Sequence, residues 1–209
     1  MNAVKWNRVL YIILVIAAVT SLICWYTGDQ IFTGGFVKNC IGSSVTVITV
    51  LSWFFCNVAW KWEFFKGWLV LVPNLNGCWT GKIVSNWVDP ETDEKLLPID
   101  ATLTIKQSLF KTSCVLETKE SSSYSIASGF IIEPDNQVCQ LVYTYRNNPS
   151  LTIQDRSSIH YGTAMLDIKE KNSTTVLYGS YWTGRESSGQ MDFKRKTKEG
   201  EKNDSTESV

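Results

Sequence analysis

Two stretches near the start of the chain carry no charge, and they limit every fold the rest can adopt. Val9 to Tyr26 (VLYIILVIAAVTSLICWY) runs eighteen residues without Asp, Glu, Lys or Arg. As a helix it is long enough to cross most of a bilayer core roughly 30 Å thick. A second run, Ile41 to Trp60, repeats the pattern with more Ser, Thr and Val. In lipid the backbone must satisfy its own hydrogen bonds, so a helix is expected there despite the β-branched residues. The segment between them, Thr27 to Cys40, holds Gly28 and Gly34-Gly35 and reads as a short polar turn. The sequence predicts a two-helix transmembrane hairpin.

Whole-chain composition hides this. The 20 basic residues equal the 20 acidic ones, yet only Lys5, Arg8, Asp29 and Lys38 of these 40 fall in the first sixty positions. Lys5 and Arg8 precede the first helix and Lys61 and Lys66 follow the second, against Lys38 alone between them. Positive residues stay on the cytoplasmic side, so both termini are expected there. The aromatic crowd from Trp53 to Trp68 suits the membrane interface. Lys5 and Arg8 would also serve a cleaved signal sequence, but no small-x-small cleavage site follows the first run and a second apolar run comes directly after it. Small residues four apart, Ala17 with Ser21 and Gly42 with Thr46, allow close helix approach within the hairpin or between copies.

Pro73-Asn74-Leu75-Asn76-Gly77 is a cluster of turn formers, and beyond it the periodicity changes to two. Eight strands are expected: Gly77 to Trp87, Asp100 to Ser108, Phe110 to Thr118, Tyr124 to Ile132, Gln137 to Arg146, Ser158 to Ile168, Thr175 to Trp182 and Gln190 to Arg195. Turns are marked at Asp89-Pro90, Pro134-Asp135-Asn136, Asn147-Asn148-Pro149 and Gly184 to Gly189. The fold class is therefore membrane-anchored all-β, with the hairpin followed by a small antiparallel β-barrel of about eight strands. A two-sheet sandwich carries the same signature. The domains divide as 1–72 for the hairpin and interfacial linker, 73–196 for the cytoplasmic barrel and 197–209 for a charged tail expected to be disordered.

Little in the chain points to catalysis. The one histidine, His160, has no G-x-S-x-G nucleophile near it, and no phosphate-binding glycine loop is present. Cys24, Cys40 and Cys56 belong to the membrane part; Cys78, Cys114 and Cys139 are isolated, without a C-x-x-C pair or clustered histidines. A metal site or disulfide framework is not expected, and these thiols should be reduced and buried. Neutral net charge argues against a partner that is a long nucleic acid.

The polar residues that alternation places together are more specific. Tyr143 and Tyr145 share one face of a strand, while Tyr181, Thr183 and Arg185 share one face across the end of another. Aromatic faces stack bases and Arg holds phosphate. A small nucleotide fits that inventory; the same residues fit equally well as wall tyrosines and a solvated turn charge. The order of parts, with Leu75-Asn76-Gly77-Cys78-Trp79-Thr80-Gly81 at the barrel entrance, resembles the two-transmembrane β-barrel effectors of bacterial cyclic-oligonucleotide-based anti-phage signalling. Tyr143-Thr144-Tyr145-Arg146-Asn147-Asn148-Pro149, His160-Tyr161-Gly162 and Leu177 to Arg185 carry the likeness over the rest of the chain.

The resemblance implies a cyclic dinucleotide ligand from a cognate nucleotidyltransferase, with no further cofactor. It also implies that binding drives homo-oligomerisation and disruption of the bilayer, so that infected cells stop growing or die. On chemical grounds Tyr143, Tyr145 and Tyr181 are candidate base or ribose contacts, Arg185 and His160 candidate phosphate contacts, and Asn147 and Thr183 candidate hydrogen-bond partners. Trp79 and Gly81 are expected to be structural. A membrane-anchored carrier of small apolar molecules, lipocalin-like, or an adaptor that binds protein would use the same parts list with an aliphatic interior or an exposed apolar patch.

Overall fold

The computed structural model describes residues 3–26, 34–88, 93–151, 158–171 and 174–196. Residues 27–33 of the expected interhelical turn, the Asp89-Pro90 turn and the tail from Thr197 lie outside them. The described chain divides into two compact units: the apolar N-terminal part up to Pro73 together with Ser108–Phe110, and the β-structure formed by Asn74–Gln107 and the chain from Lys111 onward.

In the N-terminal unit, α1 spans Trp6–Tyr26 and α2 spans Gly34–Asn57. The 21 residues of α1 extend about 31 Å. Among the described residues α1 is the one helix long and apolar enough to cross a membrane; the apolar stretch of α2, Ile41–Asn57, is shorter. Helix α2 starts earlier than expected and takes in Gly34-Gly35. It also ends earlier, at Asn57, where Ala59–Lys61 tightens into a 3-10 turn.

The seam between the helices falls on the half-buried positions of α1, such as Ile13, Ala17 and Thr20, and is pinned by a hydrogen bond between the Thr20 and Ser44 hydroxyls. Ser21 and Thr46 instead close onto their own helices, donating to Ala17 O (2.8 Å) and Gly42 O (2.9 Å). The chain before α1 is fastened to the segment after α2. Lys5 N–H donates to Leu69 O and Leu71 N–H to Ala3 O, Lys5 Nζ reaches Gly67 O at 2.8 Å, and the Arg8 guanidinium lies 5.5 Å from the Trp68 ring centre. The flanking cations thus anchor the hairpin at one end.

The second unit is a closed up-and-down barrel, which settles the choice between barrel and sandwich. Its strands are β1 (Gly77–Ser85), β2 (Ile99–Gln107), β3 (Thr112–Thr118), β4 (Ser121–Glu133), β5 (Val138–Pro149), β6 (His160–Lys171), β7 (Thr174–Thr183) and β8 (Ser188–Arg195). Each pairs antiparallel with the next and β8 returns to β1. Alternation sends Leu103, Leu141, Leu166, Leu177 and Phe193 to the interior, all fully buried. Phe110, expected at the start of β3, is exposed in the β2–β3 turn. Of the isolated cysteines only Cys114 is buried; Cys78 and Cys139 are partly exposed free thiols.

One register irregularity was not legible. Between Ser125 and Ala127 of β4 the pairing with β5 slips by one, with Ile126 turned outward. A bulge reverses the alternation. Ser121, Ser123 and Ser125 therefore face inward before it, and Ser128 and Phe130 after it. Beside the bulge β3 and β4 pair only from Val115 to Glu117, and serine hydroxyls continue the seam: Cys114 N–H donates to Ser125 Oγ (2.9 Å) and Ser128 Oγ to Thr112 O.

The end of the barrel where β1 begins is plugged by the turn cluster seen in the sequence. Trp79, 0% exposed, donates its indole N–H to Leu75 O (3.0 Å). Leu75 N–H donates to Gln107 Oε1 (2.8 Å), and Asn76 exchanges hydrogen bonds with the Gln107 backbone. Arg195 lies 4.8 Å from the Trp79 ring centre and donates to Asn74 O (2.7 Å). Trp79→Ala is expected to lower barrel stability by ~3–5 kcal/mol, against under ~1 kcal/mol for the half-exposed Trp87→Ala. Denaturant unfolding followed by circular dichroism checks this, and equal losses for the two variants would contradict the plug.

Candidate functional site

The opposite end of the barrel, where β1, β3, β5 and β7 finish, is built from different residues. Residues paired across antiparallel strands point to the same face, so the register lists the inward side chains row by row. Inside the Ser121–Pro149 pair at the rim, the outermost row with candidate residues is Ser123, Asn147, His160. Next is Ser125, Tyr145, Gly162, Thr183. Below it is Ser128, Tyr143, Ala164, Tyr181, Gly189. Six of the seven residues singled out in the sequence thus fall on three successive rows of β5, β6 and β7. The seventh, Arg185, is exposed in the β7–β8 turn at the same end, where its backbone N–H donates to Thr183 Oγ1 (3.2 Å).

The small residues in these rows are what sequence reasoning missed. A Cβ at Gly162 would lie 2.6 Å from the Tyr145 phenol carbon and oxygen, and one at Gly189 would lie 2.6 Å from Tyr181 Cε1. Each tyrosine ring therefore covers the glycine opposite it, an arrangement only glycine permits. The signal was available, since a glycine at an inward strand position marks a close approach. Tyr143 and Tyr145, two apart on β5, have ring centres 5.9 Å apart and tilted by 47°.

Polar groups inside are neutral. No Asp, Glu, Lys or Arg occupies an inward position of these rows. Ser123 Oγ donates to Asn147 Oδ1 at 2.7 Å in a buried bond, and Thr183 Oγ1 and Ser187 Oγ are 2.8 Å apart. His160 Nδ1 lies 2.9 Å from Ser158 O. Tyr143 Oη is buried with no hydrogen-bond partner among the described residues. Burial first, and then the neighbouring Cys114 and Tyr145, pushes the Tyr143 phenol far above its ordinary range; burial and the nearby Tyr181 do the same for Tyr145. Burial also pushes the Cys114 thiol up to about 12. These groups stay protonated and act as donors.

What the site offers is a set of aromatic rings, hydroxyls and one carboxamide on the inner face of the barrel, suited in chemistry to a planar polar group. No group of three or more His, Cys, Asp or Glu that could hold a metal occurs among the described residues. An open groove of about 650 Å³ on the outer wall of β1 to β3 is of another kind. It is bordered by Lys82, Asp100, Glu117 and Lys119, with Lys82 and Asp100 3.9 Å apart at exposed positions.

Residues 70–195 match the family model described as "Cap15, cyclic dinucleotide receptor domain", a span that includes all eight strands and all seven candidate residues. A CD-NTase-associated protein 15 from Staphylococcus schleiferi is 26% identical over 192 residues, covering 91% of this chain and 92% of that protein. One from Escherichia albertii is 28% identical over 162 residues, covering 74% and 76%.

The buried phenols make a pH prediction. Their folded-state pKa values lie above the ~10 of an unfolded tyrosine, so their contribution to stability is complete below pH ~10 and is lost as pH rises through the raised values. Alkaline titration followed by phenolate absorbance should show a set of tyrosines that ionise only as the barrel unfolds. The double variant Tyr143→Phe, Tyr145→Phe should flatten the fall of stability above pH ~10; an unaltered slope would mean these phenols do not control it.

Proposed function

This chain belongs to the family of Cap15 cyclic dinucleotide receptor domains, and from that premise we propose that its barrel takes a cyclic dinucleotide through the mouth that Asn147 and His160 border. The observation that carries the proposal is the pair of tyrosines laid over glycines. Tyr145 over Gly162 and Tyr181 over Gly189 present aromatic faces and phenol hydroxyls inside a barrel too narrow to hold such rings otherwise. Tyr143, Tyr145 and Tyr181 contact base or ribose, while Asn147 and Thr183 supply hydrogen bonds. The phosphates stay at the rim, where Arg185 supplies a bidentate cation. No charge waits for them inside.

The ligand comes from a cognate nucleotidyltransferase, in keeping with the relatives' designation as CD-NTase-associated. On this reading residues 1–72 are a two-pass anchor in the inner membrane with both termini cytoplasmic, a reading that the length and apolarity of α1 support, and 73–196 act as the sensor. Two helices enclose no pore, so an effect on the bilayer requires several copies. A ligand that prefers the assembling state by about 3 kcal/mol shifts that equilibrium roughly a hundredfold. Assembly then disrupts the membrane and halts the infected cell before phage matures.

Calorimetry on the full chain in detergent, against a panel of cyclic dinucleotides, tests the first step. At least one member should bind, and Arg185→Ala should weaken that ligand by roughly tenfold to a hundredfold. No measurable affinity for any member would defeat the receptor reading; undiminished affinity in the variant would remove Arg185 from the phosphate role.

A further inference from the structure

We propose that Asn147 and His160 form a donor and acceptor pair that reads the edge of one base in the ligand, selecting a ring N–H beside a carbonyl and rejecting an amino group beside an unprotonated ring nitrogen. The first pattern is that of guanine, hypoxanthine and uracil, the second that of adenine and cytosine. The inference rests on the receptor reading above and specifies what that receptor selects.

Asn147 and His160 are register partners on β5 and β6, so their Cβ atoms lie about 4.5–5.5 Å apart on the inward face. They form the outermost of the three rows that hold the candidate residues, with the Ser121–Pro149 pair beyond it. Ser123 fixes the carboxamide. Its hydroxyl donates to Asn147 Oδ1 at 2.7 Å, which commits the oxygen and leaves Nδ2 as the free end. The side chain belongs to a residue only 7% exposed, and its Nδ2 has no acceptor among the described residues. Nδ2 itself is not sealed from solvent, so a ligand oxygen can reach it and accept its hydrogen.

The histidine supplies the opposite half. Its Nδ1 faces the Ser158 carbonyl at 2.9 Å, and a carbonyl oxygen can only accept. Nδ1 therefore carries the hydrogen, and in the neutral ring Nε2 is left as an acceptor. The inward neighbours in this row and the next, Ser123, Ser125, Tyr145, Gly162 and Thr183, carry no carboxylate. An acceptor nitrogen repels phosphate oxygen, so the role expected for His160 from sequence passes from the phosphate to the base.

Together the two side chains present a donor next to an acceptor. Guanine, hypoxanthine and uracil answer with a carbonyl oxygen next to a ring N–H. Adenine held in the same orientation sets an amino group against the Asn147 donor and a bare nitrogen against the His160 acceptor, and it can pair with both only by turning over, which moves its glycosidic bond relative to the rim. A site that must hydrogen-bond its ligand discriminates most strongly against such a mismatch.

The experiment is calorimetry on the full chain in detergent with cyclic di-GMP, cyclic di-IMP, cyclic di-UMP and cyclic di-AMP. Cyclic di-IMP keeps the carbonyl and ring N–H of guanine but lacks its exocyclic amine. It should bind within a few-fold of cyclic di-GMP and at least about tenfold tighter than cyclic di-AMP. Asn147→Asp keeps the acceptor that Ser123 bonds while removing the donor, and should abolish or invert the preference. Equal affinity for cyclic di-AMP and cyclic di-IMP in the unaltered protein overturns the base-reading pair and leaves the receptor reading intact, as does an Asn147→Asp variant that weakens every ligand by one common factor. Failure of all four ligands to bind overturns the receptor reading itself.

Discussion

Closure of β1 onto β8 is the constraint from which the site follows. The two strands approach so tightly that a Cβ at Gly81 would sit 1.8 Å from the Asp192 carbonyl oxygen, and the ladder runs from Trp79–Arg195 to Ser85–Gly189. A closed eight-stranded barrel has an interior just wide enough for side chains. One half spends that width on packing, with Trp79, Leu103, Leu141, Leu166, Leu177 and Phe193 fully buried. At the mouth the same width forces each large ring to face a glycine or alanine. Gly162, Ala164 and Gly189 are thus consequences of closure as much as Gly81 is.

Electrostatics sorts the two halves and separates the competing functions. A barrel carrying an apolar guest has no use for a buried carboxamide fixed by a serine, or for two phenols kept protonated by burial. A polar guest does, because each desolvated donor needs an acceptor. The neutral interior also decides which part of a charged ligand goes inside. Burying phosphate without a counter-charge is too costly, so on the reading proposed above bases enter and phosphates remain beside the exposed turn holding Arg185.

How much of this was legible in the sequence follows from which interactions are periodic. Strand faces repeat every two residues, so the eight strands and the shared face of Tyr143 and Tyr145 could be read directly, whereas Asn147, expected in a turn with Asn148 and Pro149, joins that face because β5 runs on to Pro149. The β4 bulge could not, because the alternation of serines with Tyr124 and Ile126 puts the large residues on the exposed face and the small polar ones inside, so it gives no sign of where the inward face switches. The chemistry of His160 was hidden for a different reason. Its acceptor character depends on the Ser158 carbonyl, a backbone group that leaves no trace in composition or spacing. At the apolar end, the length of α1 was readable from its uncharged run, whereas the start of α2 was misplaced because Gly34-Gly35 signals a turn in water and is tolerated in a helix when the surroundings demand one.

A barrel closed by eight ladders has no cheap way to open, and this restricts how ligand binding can be felt elsewhere in the chain. Separating two strands exposes backbone groups that would have to be satisfied again, whereas a ligand can shift an equilibrium only by its difference in affinity for the two states. The parts able to differ at that level are those not locked into ladders: the mouth side chains, the β7–β8 turn that carries Arg185, and the short β3–β4 seam where Ser125 and Ser128 stand in for backbone pairing. Ser125 shares its row with Tyr145 and lies two residues from Ser123, which holds Asn147. The site is therefore built against the shortest pairing among the described strands, one that serine side chains help to complete. A ligand that engages Asn147 acts next to the least committed part of an otherwise rigid wall.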